Sequence, residues 1–367
     1  MPRAKADSAA ATLLAALCRR IRRDGPMPVD RFMQACLDDP VHGYRLKPQT
    51  IGADGDFVTA PEISQVFGEL IGLWCAVVWA GMGRPAPVRL VELGPGRGTM
   101  LRDALRAAKA VPQFLAAATL HLVETSAALR EMQHHTLQPG SRGADQIPRV
   151  AWHERLAEVP AGAAVIVANE FLDALPIRQL LSRDGAWCER VVEATPDGDL
   201  RFAAGPKIGR PDEAPPPDGA IWELRAGEDE LLAALAARSA PHVALFVDYG
   251  PAGPAFGDTL QAVRRHAYVD PLAEPGTADL TAHVQFSVLA GKARTAGLAV
   301  DGPISQGEFL GRLGSAERTA RLMAANPVRA AAIEAATQRL MSPTGMGQLF
   351  KAMVVRSPEL PSPPPFG

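Results

Sequence analysis

From Val88 onward, short apolar runs alternate with stretches of helical periodicity. The runs are VRLVEL (88–93), ATLHLVET (118–125), RVAWH (149–153), AAVIVANE (163–170) and HVALFVDYG (242–250). Nearly continuous apolar runs separated by helices predict strands of a parallel sheet covered on both faces. Two further strands are expected near Leu298–Val300 and Phe350–Val355. Upstream, residues 11–39 predict two helices broken at DGPMP. In TAPEISQVFGELIGLWCAVVWAGMG, Ile63, Val66, Phe67, Leu70, Ile71, Trp74 and Val77 recur at helical spacing. Thr59, three residues before Glu62, has the signature of a capping box with Pro61 in the first turn, and Gly81 and Gly83 end this helix.

The alternation is interrupted between the fourth and fifth runs. IRQLLSRDGAWCERVVEAT alternates like a hairpin around Asp184-Gly185. GPKIGRPDEAPPPDG is Pro-rich and predicts a loose surface loop. The whole reads as an insertion. The stretch HGYRLKPQTIGADGDFVT predicts irregular, Gly-rich chain, and SPELPSPPPFG predicts a disordered tail. The boundaries expected are an N-terminal helical region with its Gly-rich loop (1–87), a first core segment (88–175), the insertion (176–240), a second core segment (241–356) and the tail (357–367).

Composition narrows the function classes. The 367 residues are 47% hydrophobic, enough for a sizeable core, and carry a net charge of -2. That balance argues against a general nucleic-acid or anionic-membrane binder. Cys18, Cys36, Cys75 and Cys188 contain no C-x-x-C pair and read as reduced thiols of a cytosol-like compartment. The eight histidines form no ligand pattern, so no metal is expected. The basic and apolar N-terminus reads as an amphipathic helix rather than a signal peptide. No apolar run approaches the roughly 20 residues of a membrane span.

The glycine turn VELGPGRGTM (91–100) follows the first core strand. A phosphate-binding P-loop needs Lys-Ser/Thr after its last glycine, and Gly98 is followed by Thr99-Met100. A dinucleotide fingerprint is G-x-G-x-x-G, whereas Gly94, Gly96 and Gly98 give G-x-G-x-G. The turn resembles the E-x-G-x-G-x-G motif of class I methyltransferases, with Pro95 between the first two glycines. That resemblance implies S-adenosyl-L-methionine as cofactor and Glu92 as the acid near its ammonium. Glu124, ending LHLVET and followed by Thr125, suits the ribose hydroxyls, or is a solvated strand end. Trp152 follows the third strand, where the adenine ring packs in this fold, or else belongs to the core.

The fourth strand ends in ANEFLDALP, where an open parallel sheet places ligands and chemistry. Asn169, Glu170 and Asp173 cluster there. Two carboxylates can hold a guanidinium and help remove its proton. The alternative is that Asn169 and Asp173 cap a following helix. Glu170 is the first choice for the catalytic group and Asp173 the second.

Taken in order, DPVHGYR, GDFVTAPEISQVFGELIGLW, LVELGPGRGTM, NEFLDALP, VDYG, TLQAVRRHAYVDPLAEPGTADLTAHVQFSVL and MGQLFKAMVV resemble the MidA-type methyltransferases, which include the mitochondrial complex I assembly factor 7. The resemblance runs from about Asp39 to Val355. It implies a class I, Rossmann-like α/β fold: a mostly parallel seven-stranded sheet with helices on both faces, an N-terminal helical region and an inserted substrate subdomain. It also implies methylation of an arginine on a complex I core subunit, or its bacterial equivalent, aiding assembly. The site would be cytoplasmic in a bacterium and in the mitochondrial matrix for eukaryotic relatives. A homodimer is compatible with this reading. The same resemblance makes Asp56, Phe57 and Thr59 candidates for a loop over the cofactor. Asp279 and His283, four apart, would share a helical face at the substrate mouth, with His283 a candidate catalytic group. A small-molecule O- or N-methyltransferase and a cofactor-binding assembly chaperone remain open alternatives.

Overall fold

A computed structural model describes residues 3–46, 55–137, 149–209 and 217–367. The chain forms two compact units, each assembled from separated segments.

The first unit comprises Met1–Phe57, Asp173–Asp229 and Ala255–His283. Helices α1 (Arg3–Asp24) and α2 (Val29–Asp38) are separated at DGPMP, as the two prolines and the glycine predict, by the two-residue strand Met27–Pro28. Gly25, at φ +94°, makes the reversal. Met27 and Pro28 pair antiparallel with Val192 and Val191. The hairpin Arg178–Arg183 and Ala186–Ala194 turns at Asp184 (φ +51°) and Gly185 (φ +67°), both left-handed as its tight loop requires. Leu200–Ile208 pairs onto the same strand, so the start of the expected loose loop is sheet as far as Ile208. Residues 210–216 of that loop lie outside the described residues, as do 47–54 of the Gly-rich stretch. Phe32, Met33, Leu37, Ile177, Val192 and Leu280 are buried in this unit's core, each contributing about 1.5–3 kcal/mol of transfer free energy.

A separate three-stranded sheet in this unit joins Gln261–Arg264, Ala267–Val269 and Asp279–Thr281. Here the helical face expected of Asp279 and His283 is corrected. Asp279 pairs with Val263 across the sheet, and the next helix begins only at Phe286. Backbone pairing with a strand distant in sequence overrides the four-residue spacing. The hairpin turn at Arg265 and His266 has no glycine, yet both residues take positive φ (50° and 61°).

The second unit comprises Val58–Leu172, Glu230–Pro254 and Val284–Gly367. Its sheet uses the seven expected strands: β1 (Val88–Leu93), β2 (Ala118–Val123), β3 (Val150–His153), β4 (Ala164–Asn169), β5 (His242–Tyr249), β6 (Ala299–Ser305) and β7 (Phe350–Arg356). The order is β6-β7-β5-β4-β1-β2-β3. Strands β1 to β5 run parallel, while β7 is antiparallel to both neighbours. Strand order reverses between β1 and β4, so the chain diverges at their carboxyl ends and opens a crevice there.

The helix expected from Thr59 is two helices, α3 (Ala60–Ile63) and α4 (Gln65–Gly81), separated by Ser64 in an extended conformation. The capping box is corrected accordingly. The Thr59 side chain makes no capping bond, and Glu62 accepts a hydrogen bond from the Thr99 hydroxyl. Ser64 caps the long helix instead, accepting from the Val66 N–H. The apolar stripe behaves as its spacing predicts except at Val77, which is half-exposed. Glu69, buried on α4, accepts from Arg106 and Arg318, two cations from distant helices.

The tail is also corrected. The Trp74 indole N–H donates to the Pro364 carbonyl at 2.6 Å, Arg312 donates to that of Pro365, and Phe366 packs on Phe309. Pro-rich composition limits regular structure but leaves carbonyls available to buried donors.

Candidate active site

Strand β1 delivers its carboxyl end into the glycine turn at the strand-order reversal. Gly94, Gly96 and Gly98 all take positive φ (61°, 52° and 78°), which few side chains tolerate. A Cβ at Gly94 would also sit 2.9 Å from the Phe171 ring. At Gly98, where α5 (Thr99–Ala108) begins, the nearest atoms are 3.6 Å away, so conformation rather than space requires glycine there. Pro95 is buried, and its carbonyl accepts from the Gly98 N–H at 2.7 Å.

Glu92 lies within this turn's base, 5% exposed, and its Oε2 has no hydrogen-bond partner among the described residues. Burial pushes its carboxyl up to about 8. One strand over, β4 ends in Asn169, whose Oδ1 is likewise buried without a partner among the described residues. Buried polar atoms without partners are rare in folded proteins and ask for an explanation. An ammonium and further donors of a bound amino-acid moiety would supply it.

On the other side of β1, Glu124 follows β2 and is buried. Its Oε1 accepts the Ser126 N–H at 2.8 Å, and its Oε2 accepts from Gln133 Nε2 at 3.2 Å. Gln133, on α6 (Ala127–Leu137), also accepts from Trp152 Nε1 at 2.9 Å. The Trp152 ring, partly buried, stacks on His134 at 5.9 Å between centroids. Thr125 is exposed.

Beyond Asn169, the backbone of Glu170 is left-handed, at φ +49°. Such a conformation costs a non-glycine residue of order 1 kcal/mol and concentrates at functional sites. Its N–H donates to the Val247 carbonyl at 2.9 Å, and Phe171 and Leu172 donate theirs to the Asp248 carboxylate. Oε1 of Glu170 accepts the Ala60 N–H at 3.0 Å and Asn169 Nδ2 at 3.2 Å. Residues 170–177 contain no helix, so the capping alternative for Asn169 and Asp173 has no helix to cap.

Comparisons with known proteins identify the family. Residues 70–304 match the family described as "Putative S-adenosyl-L-methionine-dependent methyltransferase". The chain belongs to that methyltransferase family. It is 36% identical to the Drosophila melanogaster protein arginine methyltransferase NDUFAF7 homolog, mitochondrial, over 96% of this chain and 86% of that one. The Danio rerio protein arginine methyltransferase NDUFAF7, mitochondrial, is 34% identical over 93% and 86%. A solved Burkholderia thailandensis structure containing S-adenosyl-homocysteine is 29% identical over 97% of this chain and 95% of that one, with a TM-score of 0.86. The protein is therefore an S-adenosyl-L-methionine-dependent methyltransferase of class I fold.

Within the methyltransferase, the residues expected at the site divide between the units. Glu92, Gly94, Pro95, Gly96, Gly98, Glu124, Thr125, Trp152, Asn169, Glu170 and Thr59 belong to the second unit, and Asp56, Phe57, Asp173 and His283 to the first. Asp56 is engaged there: its carboxylate accepts from Tyr44 Oη at 3.0 Å and from the Arg265 N–H at 2.8 Å, clamping the Arg265–His266 turn. Phe57 packs against that unit's core. Asp173 is buried beside Asp279, whose carboxyl is pushed up to about 7 by burial first and then by Asp173 and Asp56, against the pull of Arg45. His283 is fixed through its backbone, its N–H donating to Thr259 Oγ1 and its carbonyl accepting from Arg225. Burial and Arg225 hold its imidazole below the usual range.

Two residues of the methyltransferase are not legible in the sequence. Asp248 lies in VDYG, but nothing local says that it will catch the turn after β4. Gln133 lies in a helix whose polar residues look alike in sequence.

Proposed function

We propose that this methyltransferase modifies an arginine side chain of a protein, a core subunit of respiratory complex I or its bacterial equivalent, and thereby aids assembly of that complex. The observation that carries the reading is the kinship, across nearly the whole chain, with relatives named as protein arginine methyltransferases. The eukaryotic relatives are named as mitochondrial. We place the reaction of a bacterial member in the cytoplasm.

When bound, the cofactor supplies an electrophilic methyl on a sulfonium. The chain's own residues must hold it, orient an acceptor nitrogen in line and exclude water. The glycine turn lets backbone pass close to the amino-acid moiety, with Glu92 and Asn169 taking its ammonium. Glu124 accepts from the ribose hydroxyls, and Trp152 walls the adenine. Thr59 contributes to the segment leading into α3.

The acceptor nitrogen is a weak nucleophile because the guanidinium lone pairs are delocalised. Glu170 carries a carboxylate whose direction is set by its left-handed backbone and by the Ala60 N–H. Gripping the guanidinium there localises positive charge on one nitrogen and leaves another freer to attack. Asp173 and His283 remain candidates on the sequence argument alone.

Incubation of the purified protein with radiolabelled S-adenosyl-L-methionine and a lysate lacking the endogenous enzyme tests the reading. The expected result is one labelled protein band carrying methylarginine. Label that appears only in small molecules, or on lysine, would overturn it.

A further inference from the structure

Gln133 is completely buried on α6 and is bonded to three separate pieces of chain. Its Nε2 donates to the carbonyl of Gly96, in the glycine turn, at 2.8 Å. The same nitrogen donates to Oε2 of Glu124, after β2, at 3.2 Å. Its Oε1 accepts from the indole N–H of Trp152, on β3, at 2.9 Å. The amide has only one orientation that works. An indole N–H can only donate, while a carbonyl and a carboxylate can only accept, so a reversed amide would lose all three bonds.

We propose that Gln133 is a positioning residue of the cofactor site, coupling the three groups that receive the amino-acid, ribose and adenine portions of S-adenosyl-L-methionine. This rests on the cofactor site proposed above. The coupling follows from the geometry. The Ser126 N–H holds one oxygen of Glu124 and Gln133 holds the other, so the carboxylate plane is set before the ribose arrives. The same side chain holds the indole of Trp152 and the carbonyl of Gly96. Groups held in their bound geometry beforehand bind more tightly, because less freedom is lost on binding. No other side chain among the described hydrogen bonds touches all three pieces.

Two variants test this. Gln133→Leu keeps the volume and removes all three bonds. Gln133→Glu keeps the oxygen that serves Trp152 but turns the other end into an acceptor facing two acceptors. That arrangement holds only while a proton is shared between the introduced carboxyl and Glu124, and the proton is lost as pH rises. Binding of S-adenosyl-homocysteine is measured by calorimetry for parent and variants, with adenosine as a second ligand. Gln133→Leu is expected to weaken both ligands by at least about tenfold. For Gln133→Glu, affinity relative to the parent is expected to fall by about tenfold or more between about pH 6 and about pH 8.5. A purely structural role would lower the melting temperature without producing that pH-dependent ratio. If Gln133→Leu does not fold, Gln133→Glu decides. A ratio flat in pH, or a folded Gln133→Leu with parental affinity, overturns the proposal. A parent chain that binds neither ligand would instead overturn the cofactor site itself, and this inference with it.

Discussion

Oε1 of Glu170 accepts the backbone N–H of Ala60 at 3.0 Å while the Glu170 backbone sits in the left-handed region at φ +49°. The carboxylate is thus directed by a strained backbone behind it and a helix terminus beside it. Glu170→Gln can keep the Ala60 bond through its amide oxygen while removing the charge. A charge-assisted hydrogen bond is worth about 1.5–3 kcal/mol, so methyl transfer is expected to fall about ten- to a hundredfold. Cofactor affinity and melting temperature should stay near parental values. Single-turnover transfer, calorimetry and a thermal melt on one preparation check this. A parallel fall in cofactor affinity would assign Glu170 to holding the cofactor side instead.

Glu92 gives a pH signature. Its folded carboxyl is raised to about 8 by burial, so the folded state binds a proton that the unfolded chain has released. Its contribution therefore lowers the stability of the cofactor-free protein as pH rises from about 4.5 towards about 8. Binding an ammonium requires the ionised form, so affinity for S-adenosyl-homocysteine should rise over the upper part of that window. Glu92→Gln is expected to raise the melting temperature of the cofactor-free protein at pH 8, weaken binding and flatten its pH dependence. Melting curves and calorimetry at several pH values are the measurements. Unchanged affinity in this variant would remove Glu92 from the site.

Gly96→Val should abolish cofactor binding. Valine is strongly disfavoured at φ +52°, and its branches would enter space that the close approach of ligand to backbone requires. The strain is local, so the variant should retain its far-ultraviolet circular dichroism while losing S-adenosyl-homocysteine binding. Retained affinity in a folded variant would move the site elsewhere.

Deleting residues 361–367 should destabilise the second unit although the segment is Pro-rich. The deletion strands the buried Trp74 indole N–H and uncovers Phe309. An unsatisfied buried donor alone costs about 1–3 kcal/mol. The measurable outcome is a lower urea midpoint than that of the full chain. An identical midpoint would show that the tail contributes nothing.

The seven core strands were legible because each is short, apolar and bounded by turn residues, and buried parallel strands write that pattern locally. The positive φ of Gly94, Gly96 and Gly98 was legible for a related reason: a tight turn after a strand writes its spacing locally, and the roles proposed for Glu92 and Glu124 rest on the same local spacing. The hairpin at Asp184-Gly185 announced itself through its left-handed turn pair. Where a feature depends on residues near in sequence, composition and spacing determine it.

Tertiary structure decided the rest. Thr59 looked like a cap, but Glu62 is drawn to Thr99 and Ser64 caps the long helix. Asp279 and His283 had helical spacing, yet Asp279 found a strand partner in Val263. The Pro-rich tail acquired order from Trp74, a donor 290 residues away that needed an acceptor. Gln133 became the junction of three segments because an amide offers donors and an acceptor at opposite faces, a value that no single segment can reveal. The local pattern determines which elements form and where glycine is needed. Which buried polar group meets which depends on contacts between distant segments, because each must find a partner once water is excluded.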